Sequence, residues 1–193
     1  LMASAWRGNF LFVIWSEYMT PTESAAAKPQ LITPTFVLAW VANFCQFLVF
    51  YLFVTTMALY AVESFGASDT VGGFASSAFV LGATCMRVFS GWIVDRVGHK
   101  KAALTSLAFV TVVAVAYFFA HNVAVLIIVR MVHGAGYALT STALMAVAQS
   151  VIPHERRAEG TGYFALGTTL ATAFGPAIGL FLANNIGYNT LFA

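Results

Sequence analysis

The chain has 193 residues, 60% of them hydrophobic and only 8% charged, with a formal net charge of +2. Soluble domains carry about a quarter charged residues, so this balance excludes an ordinary globular protein and points to an integral membrane protein. No basic stripe with interleaved aromatics occurs, which leaves nucleic acid out as a partner, and Cys45 and Cys85 stand singly in apolar runs without disulfide or metal-ligand spacing.

Residues 1–30 read as a cytoplasmic amino-terminal segment. It begins with Leu1, and its apolar core "FLFVIW" is too short to span a bilayer. Met19, followed by the small polar lead "TPTESAAAKPQ", reads as the native start, with residues 1–18 as upstream read-through. A short signal-like segment is the rival reading.

Residues 31–193 hold five runs long enough to cross a bilayer, which takes about 20 apolar residues. The expected spans are 36–60, 71–94, 102–120, 123–151 and 160–183, and "YNTLFA" at 188–193 opens a sixth. The runs are continuous rather than alternating, so they are helices, since lipid leaves unpaired backbone groups unsatisfied. The expected fold is all-α: five complete transmembrane helices plus the start of a sixth.

Orientation follows from Lys and Arg in short loops. Lys28 precedes the first helix, Arg96, Lys100 and Lys101 follow the second, and Arg156 and Arg157 follow the fourth; the connections on the other side carry none. The amino-terminus and the "DRVGHKK" loop therefore face the cytoplasm, in a multi-pass protein of the cell membrane.

Within the spans, polar residues are few. The first helix offers Asn43, Gln46 and Tyr51 as the candidates to face a cavity. Arg87 lies about two turns from the cytoplasmic end of the second helix, and is expected to snorkel or to pair with another part of the protein. Arg130 lies one to two turns inside the other end of the fourth. A buried arginine costs at least ~2.5 kcal/mol on insertion scales, so it needs a role. His133 reads as a packing residue. No carboxylate lies inside any run, and no His-Glu-x-x-His, Gly-x-Ser-x-Gly or intramembrane Asp pair supports an enzyme.

The loop after the second helix has more order than a topological anchor requires. Gly91, Asp95, Arg96, Gly98 and Lys100 resemble the cytoplasmic signature loop of the major facilitator superfamily, roughly Gly-x-x-x-Asp-Arg-x-Gly-Arg-[Arg/Lys]. "RMVHGAG", with Arg130, Gly134 and Gly136, resembles the family's fourth-helix pattern. "GTTLATAFGPAIG" resembles the fifth-helix Gly-Pro motif of its drug and metabolite antiporters, through Gly167, Gly175, Pro176 and Gly179, with Ala171 and Leu180 departing from it.

The resemblance implies the amino-terminal half of a transporter whose two halves rock around a midplane site. It implies a conformational latch at Gly91, Asp95, Arg96, Gly98, His99 and Lys100, a cavity-facing Arg130 that serves coupling, and a hinge at Gly167, Gly175, Pro176 and Gly179. His99 replaces the family's usual arginine, and Gln149 replaces the carboxylate that such an arginine meets, so a neutral or pH-sensitive His99–Gln149 hydrogen bond is expected in place of an ion pair. The implied activity is efflux of small amphipathic molecules or metabolites, with no cofactor and with proton coupling as an option. The implied partners are a small-molecule substrate, the lipid bilayer and a carboxy-terminal half. Sugar or nutrient uptake, and a non-transporting scaffold or receptor on the same fold, are the alternatives.

Overall fold

The computed structural model describes residues 29–188; the expectations about residues 1–18, Met19 and residues 189–193 fall outside them. Five long helices run up and down: α1 (Pro34–Phe65), α2 (Asp69–Val97), α3 (His99–Val115), α4 (Val123–Val151) and α5 (Arg157–Asn185). All five spans expected from the sequence are present, and no strand occurs among the described residues.

The helix ends fall at sequence signals that the hydropathy pattern leaves out. Thr33 caps α1, its hydroxyl accepting from the Phe36 amide at 3.2 Å, with Pro34 in the first turn. Gly66 ends α1 with φ 63°, and the Gly66 and Ala67 amides donate back to the Val62 and Ala61 carbonyls. Ser68 caps α2, and the Asn122 side chain accepts from the Val125 amide at 2.9 Å to cap α4. These caps stretch α1 to 32 residues and α2 to 29, about 48 and 43 Å at 1.5 Å per residue, well beyond a hydrocarbon core of about 30 Å. The third span is shorter than expected as an α-helix, because a 3₁₀ turn takes over at Ala116–Phe119.

α2 and α3 are joined through Gly98 alone, whose φ of 92° makes the reversal. The antiparallel order places Arg96, Lys100, Lys101, Arg156 and Arg157 at one end of the bundle, and Glu63 and Asp69 at the other.

Two pairs of helices make the most extensive contacts, α2 with α4 and α5 with α1. In both, glycine lets backbone meet backbone. A Cβ on Gly82 would collide with the Met131 carbonyl, and one on Gly134 with the Phe79 carbonyl. On α5, a Cβ at Gly175 would lie 2.6 Å from the Tyr51 Cβ, and one at Gly179 would lie 2.8 Å from the Leu52 oxygen. Lipid tails are as apolar as leucine, so close packing and interhelical hydrogen bonds replace the hydrophobic effect as the force between helices. Interhelical hydrogen bonds add to this: Trp40 Nε1 donates to the Tyr163 carbonyl at 2.9 Å within the α1–α5 pair, while the bonds from Ser76 Oγ to the Val54 carbonyl at 2.7 Å and from Gln46 Nε2 to the Tyr137 carbonyl at 2.8 Å tie α1 to α2 and to α4.

Gly82→Ala puts its methyl against backbone, which has no flexible end to yield. Overpacking of this kind costs about 1–3 kcal/mol, so the variant is expected to lower the thermal midpoint of the full-length protein in detergent by several degrees, read by fluorescence-detected size exclusion. An unchanged midpoint would mean that the α2–α4 crossing is looser than described.

Candidate functional site

Three helices build one aromatic wall. α1 contributes Phe47, Phe50 and Tyr51, α2 contributes Phe79, and α4 contributes Tyr137. Ring centroids lie 5.1 Å apart for Phe79–Tyr137 and for Phe50–Phe79, and 5.4 Å for both Phe47–Tyr137 and Phe50–Tyr137, so the rings form one continuous contact. Tyr51 joins through Phe50 at 4.9 Å. Ala83, Ala138 and Met86 fill the gaps between them. The rings sit near the middle of their helices, hence near the bilayer midplane.

Arg87 stands beside this wall, exposed, within electrostatic reach of the Tyr137 hydroxyl, as is Tyr51. Because α2 continues to Val97, Arg87 is about 15 Å inside the cation-rich end of its helix at 1.5 Å per residue, and about one turn from the helix middle. The span expected from the sequence ended at residue 94 and put Arg87 about two turns from that end; the longer helix makes it nearly three.

Arg130 has the opposite environment. It is fully buried, its Nη2 donates to the Ser76 carbonyl at 2.9 Å, and its guanidinium lies over the Phe79 ring at 4.8 Å from the centroid. The Tyr117 hydroxyl is next to it and also bonds His133 Nδ1 at 3.1 Å. The Arg130 Nε and Nη1 atoms have no acceptor among the described residues. Arg130 therefore neither snorkels nor lines an open cavity here. It is enclosed between α2, α4 and the 3₁₀ turn, with donors unspent among the described residues. His133, 6% exposed and ringed by Phe53, Phe79 and Tyr117, packs as expected and also carries the bond to Tyr117.

Of the three cavity candidates on α1, only Tyr51 reaches the wall with its own ring. Asn43 is 2% exposed and donates to Thr168 Oγ1 of α5 at 3.4 Å, while Gln46 ties α1 to α4, its Oε1 left without a partner among the described residues. A polar residue in lipid satisfies itself on the nearest helix, and these two act as interhelical ties. A cleft of about 430 Å³ between α1 and α3, lined by Leu38, Ala42, Leu104 and Leu107, is mostly apolar, with Thr35 and Lys100 as its polar lining residues.

At the charged end, Gly91 faces open space, with nothing within 4 Å of a Cβ built on it. The Asp95 side chain is 81% exposed, with His99 Nε2 at 3.9 Å from its Oδ1 one turn on, and Arg96 lies over the Trp92 ring at 5.3 Å. Lys100 is exposed beside them. The expected His99–Gln149 bond is not formed. Gln149 Nε2 donates instead to Thr161 Oγ1 at 2.8 Å at the start of α5, and His99, the first residue of α3, turns back across Gly98 to Asp95 near the end of α2. On α5, Gly167, Ala171, Gly175 and Gly179 form one buried stripe against α1. Gly167 faces the Trp40 indole at 3.3 Å, and Ala171, where a glycine was expected, is also fully buried. Pro176 lies beside this stripe within an unbroken helix.

The Major Facilitator Superfamily family model matches residues 39–193, which takes in the wall, both arginines and the glycine stripe. This chain belongs to the Major Facilitator Superfamily. It is 30% identical over 161 residues to the multi-drug resistance efflux pump PmrA of Streptococcus pneumoniae, covering 80% of this chain and 39% of that protein. It is 32% identical over 130 residues to the staphylopine export protein of Staphylococcus aureus, covering 66% of this chain and 32% of that protein. An uncharacterised protein of Mycobacterium tuberculosis is 34% identical over 89 residues, covering 46% and 21% of the two chains. The chain thus spans about two fifths of the length of its efflux-pump relatives. With its five helices long and apolar enough to cross a membrane, the chain is a multi-pass membrane member of that superfamily.

Sequence reasoning missed Tyr137 and undervalued Arg87. A signal existed for the first: in "GAGYALT" one large polar-tipped ring stands among small residues, which is how a side chain fills space that its neighbours vacate. Arg87 could not be read, because its role depends on which face of α2 it occupies.

Removing three orphaned N–H groups from the interior should not cost stability. Arg130→Met in the full-length protein is expected to keep or raise the thermal midpoint while lowering transport at least tenfold. A midpoint lower by more than a few degrees would make the bond to the Ser76 carbonyl a structural necessity.

Proposed function

We propose that the full-length protein is a secondary active exporter that moves small amphipathic molecules or metabolites by alternating access, in antiport with an ion, protons being the candidate. The observation that carries this reading is the aromatic wall at mid-membrane depth, with two tyrosine hydroxyls and one cation at its edge. Flat apolar surface with a few polar tips suits ligands that are themselves amphipathic. Two relatives bear names of export proteins, one of them a multi-drug pump, which favours efflux over uptake.

In this reading the cationic end is cytoplasmic by the positive-inside rule and the amino-terminus lies there, in the cell membrane. The rest of the protein supplies a second helical half. Gly91, Asp95, Arg96, Gly98, His99, Lys100 and Gln149 serve the latch that holds the halves on the cytoplasmic side; the exposure of Asp95 and the empty space at Gly91 leave both free to meet it. Gly167, Gly175, Pro176 and Gly179 let α5 shift along α1. Arg130 answers the coupling step through its unspent donors.

The test is efflux of a neutral amphipathic dye. Bacteria lacking their own efflux pumps and expressing the full-length protein are expected to hold severalfold less Nile red at steady state than cells without it, and a protonophore is expected to abolish the difference. Equal dye levels with and without the protein would remove the efflux reading, and faster sugar uptake by the same cells would replace it with the uptake alternative.

A further inference from the structure

Arg87 is exposed, near the midplane, and without a hydrogen bond or ion pair among the described residues. A cation at that depth is costly in lipid, at least ~2.5 kcal/mol on insertion scales. The Tyr51 and Tyr137 hydroxyls lack hydrogen-bond partners among the described residues as well; both rings contact Phe47 and Phe50, and Arg87 follows Met86 and stands one turn past Ala83, which pack against Tyr137, so three unspent donors, from α2, α1 and α4, share one neighbourhood. The only buried unpartnered side-chain acceptor among the described residues is the neutral Gln46 Oε1, and no described carboxylate lies at this depth to pair with the cation: Glu63, Asp69, Asp95, Glu155 and Glu159 are all at helix ends or in the connections. A second copy of the chain cannot supply one at that depth, because a parallel pairing along α2 would set Arg87 against its own like charge.

We propose that Arg87, with the Tyr51 and Tyr137 hydroxyls, forms a site for the carboxylate of an amphipathic substrate whose apolar body lies on the Phe47, Phe50 and Phe79 rings. This rests on the exporter reading and names its substrate class. The guanidinium presents paired N–H groups in a planar fork that matches a carboxylate, and phenol hydroxyls complete its remaining lone pairs. A partly dry, mid-membrane setting strengthens such a pair over its value in water. The same site disfavours cations, since Arg87 repels them before the rings can attract them.

The experiment compares binding of 1-naphthoate with that of the neutral 1-naphthamide, by equilibrium dialysis on the full-length protein in nanodiscs at neutral pH. The two share a ring system and differ in charge. Wild type is expected to bind naphthoate at least tenfold more tightly. Arg87→Gln is expected to bring that ratio close to one while holding naphthamide affinity within about twofold, and Arg87→Lys to keep part of it. Wild-type affinities that are equal would overturn the site, and so would a preference that survives in Arg87→Gln. An Arg87→Gln protein with a lower thermal midpoint and an intact preference would assign Arg87 to a carboxylate elsewhere in the protein, which also overturns it. Should Arg87→Gln not fold, the wild-type ratio and its loss on Tyr137→Phe decide. Nile red export that persists when the naphthoate preference is absent leaves the exporter standing and removes only this site.

Discussion

The contact on which the rest of the structure depends is the meeting of bare backbone at the α2–α4 and α5–α1 crossings. Gly82 lies against Met131, Gly134 against Phe79, and Gly175 and Gly179 against Tyr51 and Leu52. In lipid there is no hydrophobic gain from bringing two apolar helices together, so the approach must be close enough for dispersion and interhelical hydrogen bonds to hold them. The closeness has consequences along each pair. Phe79 is pressed onto Tyr137 because Gly134 is one turn away, and Arg130 is enclosed because α2 leaves no gap for it to reach the surface.

The two intramembrane arginines show how position on a helix decides the chemistry of one side-chain type. Arg130 faces the crossing and is fully buried, so its charge is held by a carbonyl, an aromatic face and a tyrosine. Arg87 sits away from that contact and remains exposed beside rings that present hydroxyls. Two nitrogens of the first lack acceptors among the described residues, whereas the second is exposed. Phe79 connects the two regions, since it belongs to the aromatic wall and also lies under the Arg130 guanidinium.

The number of helices, their order and the gathering of cations at one end were legible in the sequence, because bilayer thickness and loop charge act on composition and length alone. The fourth span was read to the residue, since Asn122 and Pro153 bracket it. The first two were read short: Thr33, Gly66 and Ser68 are capping signals that hydropathy does not see. Site residues were harder. Asn43 and Gln46 looked like cavity residues by polarity, yet in lipid a polar side chain is drawn to the nearest backbone or hydroxyl, and both became ties. The His99–Gln149 pairing failed because each found another partner, Asp95 and Thr161, and a single sequence does not say which elements meet. Tyr137 and Arg87 were undervalued because the wall is assembled from three helices, and only the crossings decide which faces meet.

The central claim is that the wall at Tyr51 and Tyr137 is the surface exposed by turns to the two sides of the membrane. Substituting Tyr51→Cys in full-length protein with Cys45 and Cys85 replaced by alanine, then labelling with a membrane-impermeant maleimide in right-side-out and inside-out vesicles, measures this directly. The account expects labelling from both sides, with substrate shifting the ratio between them. Labelling from neither side, or from one side regardless of substrate, would contradict it.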